Sequence, residues 1–230
     1  MQFVDSQTQQ KIVDLMYRVY GWMSVGLALT AGISYGISTS PALMNTIKTN
    51  PALTIGLFIF QIGLVLALSF GINKMSPASA CVLFLAYAAS MGVTMSSIFI
   101  LYELPSIYAT FFVTAGMFCS MAIYGYVTQT DLTQIGNIAV MAVFGLMLGL
   151  IVNMFWQNDS FDLVLSAIGV ILFTLLTAYD TQKIKLIGQQ MIDSGNDIGG
   201  IAIIGALTLY LDFINLFLFL LRLLGQRQKQ

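Results

Sequence analysis

The chain contains no histidine. That removes Ser-His and Cys-His nucleophilic catalysis, and the commonest metal ligand, in one step. Charge is nearly as scarce. Only 8% of the 230 residues are charged, whereas a soluble domain carries roughly a quarter. So few charges cannot cover a water-facing surface of this size. A bilayer removes the need, because lipid tails solvate Leu, Ile, Phe and Met directly. The formal net charge of −1 supplies no basic face, which argues against nucleic acid as a partner. Cysteine is limited to Cys81 and Cys119, both inside apolar runs, and they read as buried thiols.

What is present is apolar sequence, 58% of the chain with a mean hydropathy of +0.87. Crossing about 30 Å of hydrocarbon takes about 20 helical residues. After a polar segment over 1–16, seven stretches meet that need: Tyr17–Ser38, Leu53–Gly71, Ala78–Tyr102, Ile107–Val127, Ile138–Trp156, Phe161–Tyr179 and Ile198–Leu224. The breaks carry turn chemistry at Pro41, Pro51, Asn73-Lys74, Pro77, Pro105, Asp131 and Asn158-Asp159. The longest polar connection is Thr181–Asp197. The reading is therefore an all-α integral membrane protein with seven transmembrane helices in one transmembrane domain, its partner the lipid itself. With the N-terminus inside, Lys11, Arg18, Lys74, Lys183 and Lys185 face the cytoplasm, against Lys48, Arg227 and Lys229 opposite. Five against three favours that orientation by the positive-inside rule. Gly32-xxx-Gly36 and Gly145-xxx-Gly149 predict close approach of neighbouring helices.

Ionisable residues in hydrocarbon cost several kcal/mol, so each is a functional candidate. Asp180 ends the sixth stretch and Asp212 lies near the middle of the seventh, ten residues before Arg222. At about 100° per residue, Gly205, Thr208, Asp212, Asn215, Phe219 and Arg222 share one face. Ser166, Gly169, Phe173, Thr177 and Asp180 share another in the same way. Two such stripes face each other or a wet cavity most economically. Asp212 and Arg222 lie about 15 Å apart along their helix, so Arg222 needs another partner or reaches for the headgroups. Asp180 has an ordinary alternative, an interfacial salt bridge to Lys183. The acidic residues Asp131, Asp159, Asp162, Asp193 and Asp197 read as solvated turns.

If Asp180 and Asp212 meet, both cannot ionise cheaply and the pair titrates as a unit. In a chain without histidine, that is the obvious pH sensor, and making or breaking a shared-proton bond between two helices is a gate. Carboxylates also attract Ca²⁺, but a tight site wants six to eight oxygens. The pair offers a weak, transient calcium contact, which suits permeation better than storage. The same pair fits an intramembrane aspartyl protease, whose first half matches Tyr179-Asp180. The second half reads Leu209-Tyr210-Leu211-Asp212, without the expected glycines, and both Pro-Ala-Leu copies lie between the first two stretches. Gly32-Ile33-Ser34-Tyr35-Gly36 fits a nucleophile elbow, with no histidine to serve it. The seventh stretch has no lysine for a retinal Schiff base. A non-enzymatic protein without a cofactor is the expectation.

Ala178-Tyr179-Asp180-Thr181-Gln182-Lys183-Ile184, then Leu209 to Phe217 and Leu220-Leu221-Arg222, resemble the transmembrane Bax-inhibitor-motif family in its bacterial branch. The resemblance runs over the whole chain, including the lead-in Met16-Tyr17-Arg18. It implies six helices around a central seventh, a bacterial inner-membrane location, and a pH-sensitive Ca²⁺ leak with calcium as the permeant ion. It implies that Asp180 and Asp212 are the sensor and that Arg222 matches a seventh-span arginine. On the two polar stripes beside that pair, Arg222, Asn215, Thr208 and Thr177 are expected to line or steady the path. Some members carry an acidic residue in the second span, where this chain offers Gln61. A basic latch residue has only Lys74 as counterpart. Bacterial relatives are also linked to the regulation of membrane proteases, so a membrane protease is a second expected partner class.

Overall fold

The structure, a computed structural model, describes residues 6–71, 75–195 and 198–228. Asn73, Lys74, Asp197 and Lys229 lie outside the described residues. Nine helices are found among them: α1 (Ser6–Ser38), α2 (Pro41–Thr49), α3 (Pro51–Gly71), α4 (Pro77–Met95), α5 (Ile98–Leu101), α6 (Leu104–Val127), α7 (Thr133–Trp156), α8 (Asp159–Asp193) and α9 (Gly199–Leu224). The four prolines all stand in the first turn of a helix: Pro41 in α2, Pro51 in α3, Pro77 in α4 and Pro105 in α6. Their missing N–H costs nothing there, because the first turn has no carbonyl to receive it. The Ser76 hydroxyl adds a cap to α4, accepting the Ser79 N–H at 3.2 Å.

Among the described residues, six helices are long and apolar enough to cross a membrane: Pro51–Gly71, Pro77–Leu101, Leu104–Val127, Thr133–Trp156, Asp159–Asp193 and Gly199–Leu224. The protein is an integral membrane protein. The first expected span differs from the rest. α1 has 33 residues and no charge from Val19 to Ser38, but Gly, Ser and Thr dilute that stretch below the others. The polar beginning of the chain is itself helical from Ser6, and it buries Ile12, Leu15, Met16 and Val19 along one stripe.

The third expected stretch stands as Pro77–Leu101, one of the six, with a local irregularity between α4 and α5 at Ser96 and Ser97. Here the hydroxyls of Ser90, Thr94, Ser96 and Ser97 all bond carbonyls three or four residues back, which competes with a regular helix. The sixth stretch does not end at Tyr179, and most of Thr181–Asp197 is no loop. α8 runs on to Asp193, 35 residues and roughly 50 Å in all. Asp180 therefore lies well inside a helix.

The chain forms two compact units. The first comprises α1 to α5 with residues 187–210, so it takes the end of α8 and the beginning of α9. Its core is the fully buried Tyr210, set edge-on against Phe84 at 5.7 Å and Tyr87 at 5.9 Å. The Thr30 hydroxyl donates to the Ala88 carbonyl at 2.8 Å and stands 2.7 Å from the Tyr210 hydroxyl. Tyr210 is therefore the donor of that second bond, and α1, α4 and α9 are tied by a single chain of hydrogen bonds. The second unit comprises α6, α7, residues 159–186 of α8 and residues 211–227. Phe213 of α9 fills it between Phe111 and Phe118 of α6, each 5.5 Å away. Of the membrane-crossing helices α9 is the most enclosed, with 72% of its apolar stretch buried against 11% for α7. The outer faces carry bare Phe144, Phe155 and Phe112, side chains that lipid solvates.

Glycine spacing misleads in this fold. Gly32, Gly36 and Gly145 would each admit a Cβ without meeting anything, so neither glycine pair forms a close helix crossing. The tight approaches occur at single glycines, among them Gly92 against Ile33 and Thr30, Gly125 against the Ala178 backbone, and Gly149 against Leu165.

Candidate functional site

The second unit brings the two polar stripes together in antiparallel order. The carboxyls of Asp180 on α8 and Asp212 on α9 make a side-chain hydrogen bond. Seven residues back on α8 and seven forward on α9, Phe173 stacks on Phe219 at 5.8 Å. The Phe219 ring also lies on Gly169, where a Cβ would collide with it. At the far end, Arg222 reaches Asp162 at 3.5 Å and holds its guanidinium over Phe219 at 5.8 Å. Arg222 and Asp162 keep 40% and 27% of their side chains exposed, and a pair at that distance and exposure contributes less than about 1 kcal/mol.

The aspartate contact constrains protonation by chemistry alone. An ionised carboxylate only accepts hydrogen bonds, so two carboxyls bond each other only when one carries a proton. Asp212 is 4% exposed, and its Oδ2 has no hydrogen-bond partner among the described residues. Asp180 is half-buried, and Lys183 acts on it through charge without closing to a salt bridge among the described residues. Lys183 instead holds its ammonium 5.4 Å from the centre of the Tyr179 ring.

The remaining predicted residues are bound more locally. Thr177 is fully buried and returns its hydroxyl to the Phe173 carbonyl at 2.8 Å. Asn215 is half-buried and donates to the Leu211 carbonyl at 2.8 Å. In the first unit, Thr208 is half-buried, and Gln61 is buried and donates to the Thr94 hydroxyl at 2.8 Å. Gln61 sits on the stripe it forms with Leu64 and Leu68, the inward face of α3. Lys74 falls outside the described residues. No group of three or more Cys, Asp or Glu side chains converges on one point among the described residues.

Four residues escaped the reading of the sequence. Asp162 is a stripe residue and not merely a solvated turn. Four residues before Ser166, it extends the face that runs through Gly169, Phe173 and Asp180 by one turn, and that spacing could have revealed it. Gln182 is 8% exposed; its amide oxygen accepts the Leu132 N–H at 2.9 Å and its amide nitrogen donates to the Thr130 carbonyl at 2.8 Å. Gly125 and Gly136 admit the Ala178 backbone and the Tyr179 ring on either side of the same turn of α8, and nothing in their spacing marks them.

Comparison with known proteins places the chain in a family. Residues 13–229 match the family described as inhibitor of apoptosis-promoting Bax1. The inner membrane protein YbhL of Escherichia coli K12 is 48% identical over 215 residues, covering 93% of this chain and 92% of its own. A protein of Borreliella burgdorferi is 41% identical over 226 residues, 97% of both chains. One of Rickettsia prowazekii is 39% identical over 217 residues, 93% of this chain and 89% of its own. Similarity of that extent runs through every helix that builds the site, and the chain belongs to the Bax1-inhibitor family of membrane proteins.

Proposed function

We propose that the protein is a proton-gated calcium leak channel, with Asp180 and Asp212 as its sensor and α9 as the central helix of seven. The single observation that carries this reading is the carboxyl–carboxyl hydrogen bond between α8 and α9. One proton joins the two helices; its loss leaves two like charges in contact, worth about 4 kcal/mol at 4 Å in surroundings of intermediate polarity. An energy of that size is enough to push one helix face away from the other. In this mechanism Asp180 and Asp212 touch Ca²⁺ only weakly and in passing, since two carboxylates supply far fewer than the six to eight oxygens of a tight site. Asn215, Thr208, Thr177 and Gln61 line or steady the path, and Arg222 steadies the far end through Asp162. The protein is non-enzymatic and has no cofactor. It resides in the inner membrane, as the name of the Escherichia coli relative states for that protein, with its N-terminus inside and α1 as the seventh span.

The test is Ca²⁺ uptake into dye-loaded liposomes from about pH 5 to 8, a window that a carboxyl pair reaches when burial and a like charge act together. Wild type is compared with Asp180→Asn and Asp212→Asn. An amide donates its hydrogen bond at every pH, so either substitution should flatten the response. Wild type that carries no Ca²⁺ at any pH overturns the channel. The reading that then leads is a non-conducting regulator bound to a membrane quality-control protease. Two aspartates in contact are also what an aspartyl protease needs to activate water. Cleavage of a transmembrane substrate, abolished by Asp212→Ala, would establish that reading instead.

A further inference from the structure

α8 shows different neighbours on its two sides near Asp180. Ala178, Gln182 and Lys185 are spaced i, i+4 and i+7 and so share one face. All three meet the end of α6 or the loop that follows it. The Ala178 backbone packs on Gly125, the Gln182 amide bonds Thr130 and Leu132, and the Lys185 ammonium donates to the Tyr126 carbonyl at 2.8 Å. Two residues along a helix turn through about 200°, so Asp180 points away from Gln182, toward Asp212.

The loop is built around this amide. Two of its other backbone N–H groups have acceptors close by: the Thr130 N–H bonds the Thr128 hydroxyl at 3.2 Å, and the Thr133 N–H bonds the Asp131 carboxylate at 2.9 Å. The Leu132 N–H is given to Gln182, and the Leu132 carbonyl receives the Gly136 N–H at 2.8 Å as α7 begins. Leu132 is itself buried, so no water replaces a lost partner without cost. One amide making two bonds to backbone fixes α8 against both rotation and sliding, which a single bond would not.

We propose that Gln182 is the positioning residue of the aspartyl pair: its amide pins α8 to the loop between α6 and α7, so that Asp180 stays where Asp212 meets it. The proposal rests on the pair's sharing a proton and needs no ion to be conducted. The charged groups around Asp180 are few. Asp212 faces it from α9 and Lys183 acts on it from its own helix. On the side of α6 and α7, Asp131 is held by Thr133 and Lys185 by Tyr126.

The experiment is infrared spectroscopy of the purified full chain in nanodiscs, following the carbonyl stretch of the protonated carboxyl. Loss of the band in Asp212→Asn assigns it to the pair. Gln182→Met keeps the reach of the side chain and removes both bonds. It should move most of the band to the position of a carboxylic acid without a carboxylate partner. Gln182→Glu keeps an acceptor for the Leu132 N–H and loses the donor to Thr130, so it should show a smaller move of the same sign. A band unchanged in both variants, in protein that elutes as wild type does, overturns the positioning role. If Gln182→Met does not fold, Gln182→Glu alone decides: an unmoved band refutes the role and a partial move supports it. Wild type with no Asp212-dependent band overturns the pair itself, and with it the role of Gln182; that outcome is distinct from an unmoved band.

Discussion

Gly125→Ala puts one methyl group into the tightest backbone crossing near the aspartyl pair. A Cβ built there meets the Ala178 carbonyl carbon at 2.8 Å and its Cα at 2.9 Å, whereas carbon atoms rest about 3.5–4.0 Å apart. The obstacle is helix backbone, which cannot swing aside as a side chain could. α6 must retreat from α8 by roughly 1 Å to restore ordinary contact. Overpacking of this kind costs about 1–3 kcal/mol, offset by up to about 1 kcal/mol because alanine favours helix over glycine. Taking the middle of each range, the net loss is about 1.5 kcal/mol, or roughly 3–6 °C in unfolding midpoint for a chain of this length. Gly145→Ala is the matched control, since nothing stands within 4 Å of its Cβ and only the helix-forming gain remains. Thermal unfolding of both variants in one detergent should therefore place Gly125→Ala below wild type and Gly145→Ala at or above it. Ala178 lies two residues from Asp180, so only Gly125→Ala should also move the infrared carbonyl band of the carboxyl pair. Equal midpoints for the two variants would refute the reasoning, because it rests wholly on what each methyl group meets.

Two further predictions probe the surroundings of the site. Tyr210→Phe keeps the ring between Phe84 and Tyr87 and removes only the hydroxyl that donates to Thr30; it should cost about 1 kcal/mol, read as a lower unfolding midpoint, and Tyr210→Leu should cost more because the ring contacts go too. Asp131, in the loop outside the membrane spans, is held below its ordinary 3.8 by hydrogen bonds from the Thr133 side chain and backbone. A depressed carboxyl stabilises the fold above its unfolded value and loses that contribution as pH falls through the folded one, so the difference in midpoint between wild type and Asp131→Ala should be present at neutral pH and shrink in acid as pH falls below the ordinary 3.8.

Much of this protein is written in composition. Scarce charge and long apolar runs name the solvent, and stretches of about 20 residues give the helices, because hydrocarbon leaves the backbone no other way to satisfy its N–H and C=O groups. Asp180, Asp212 and Arg222 stand out for the same reason, as charge where charge is expensive. Hydropathy fails where water returns. Beyond Tyr179 the apolar run stops and a loop is the natural reading, yet α8 continues through Gln182, Lys185, Leu186 and Met191. These are good helix formers, and Gly188 there is covered by Leu15 of α1. Polarity marks where lipid ends, not where a helix ends.

The same distinction explains the two kinds of residue that were missed. Asp162 and Gln182 lie at the margins of α8's apolar stretch, where a polar side chain is cheap, so residue type alone gives no reason to single them out. What marks them is angular position. Asp162 continues the face of Asp180 toward the helix start, and Gln182 lies on the opposite face with Ala178 and Lys185. Read as a 35-residue helix, α8 has one side that meets α9 through Asp162, Gly169, Phe173 and Asp180, and another that meets the end of α6 and its loop. Read as a span that stops at Tyr179, it has only the first. The extension past the apolar boundary is thus integral to the site, because an aspartate at the very end of a helix would fray with it, whereas Asp180 has thirteen helical residues beyond it.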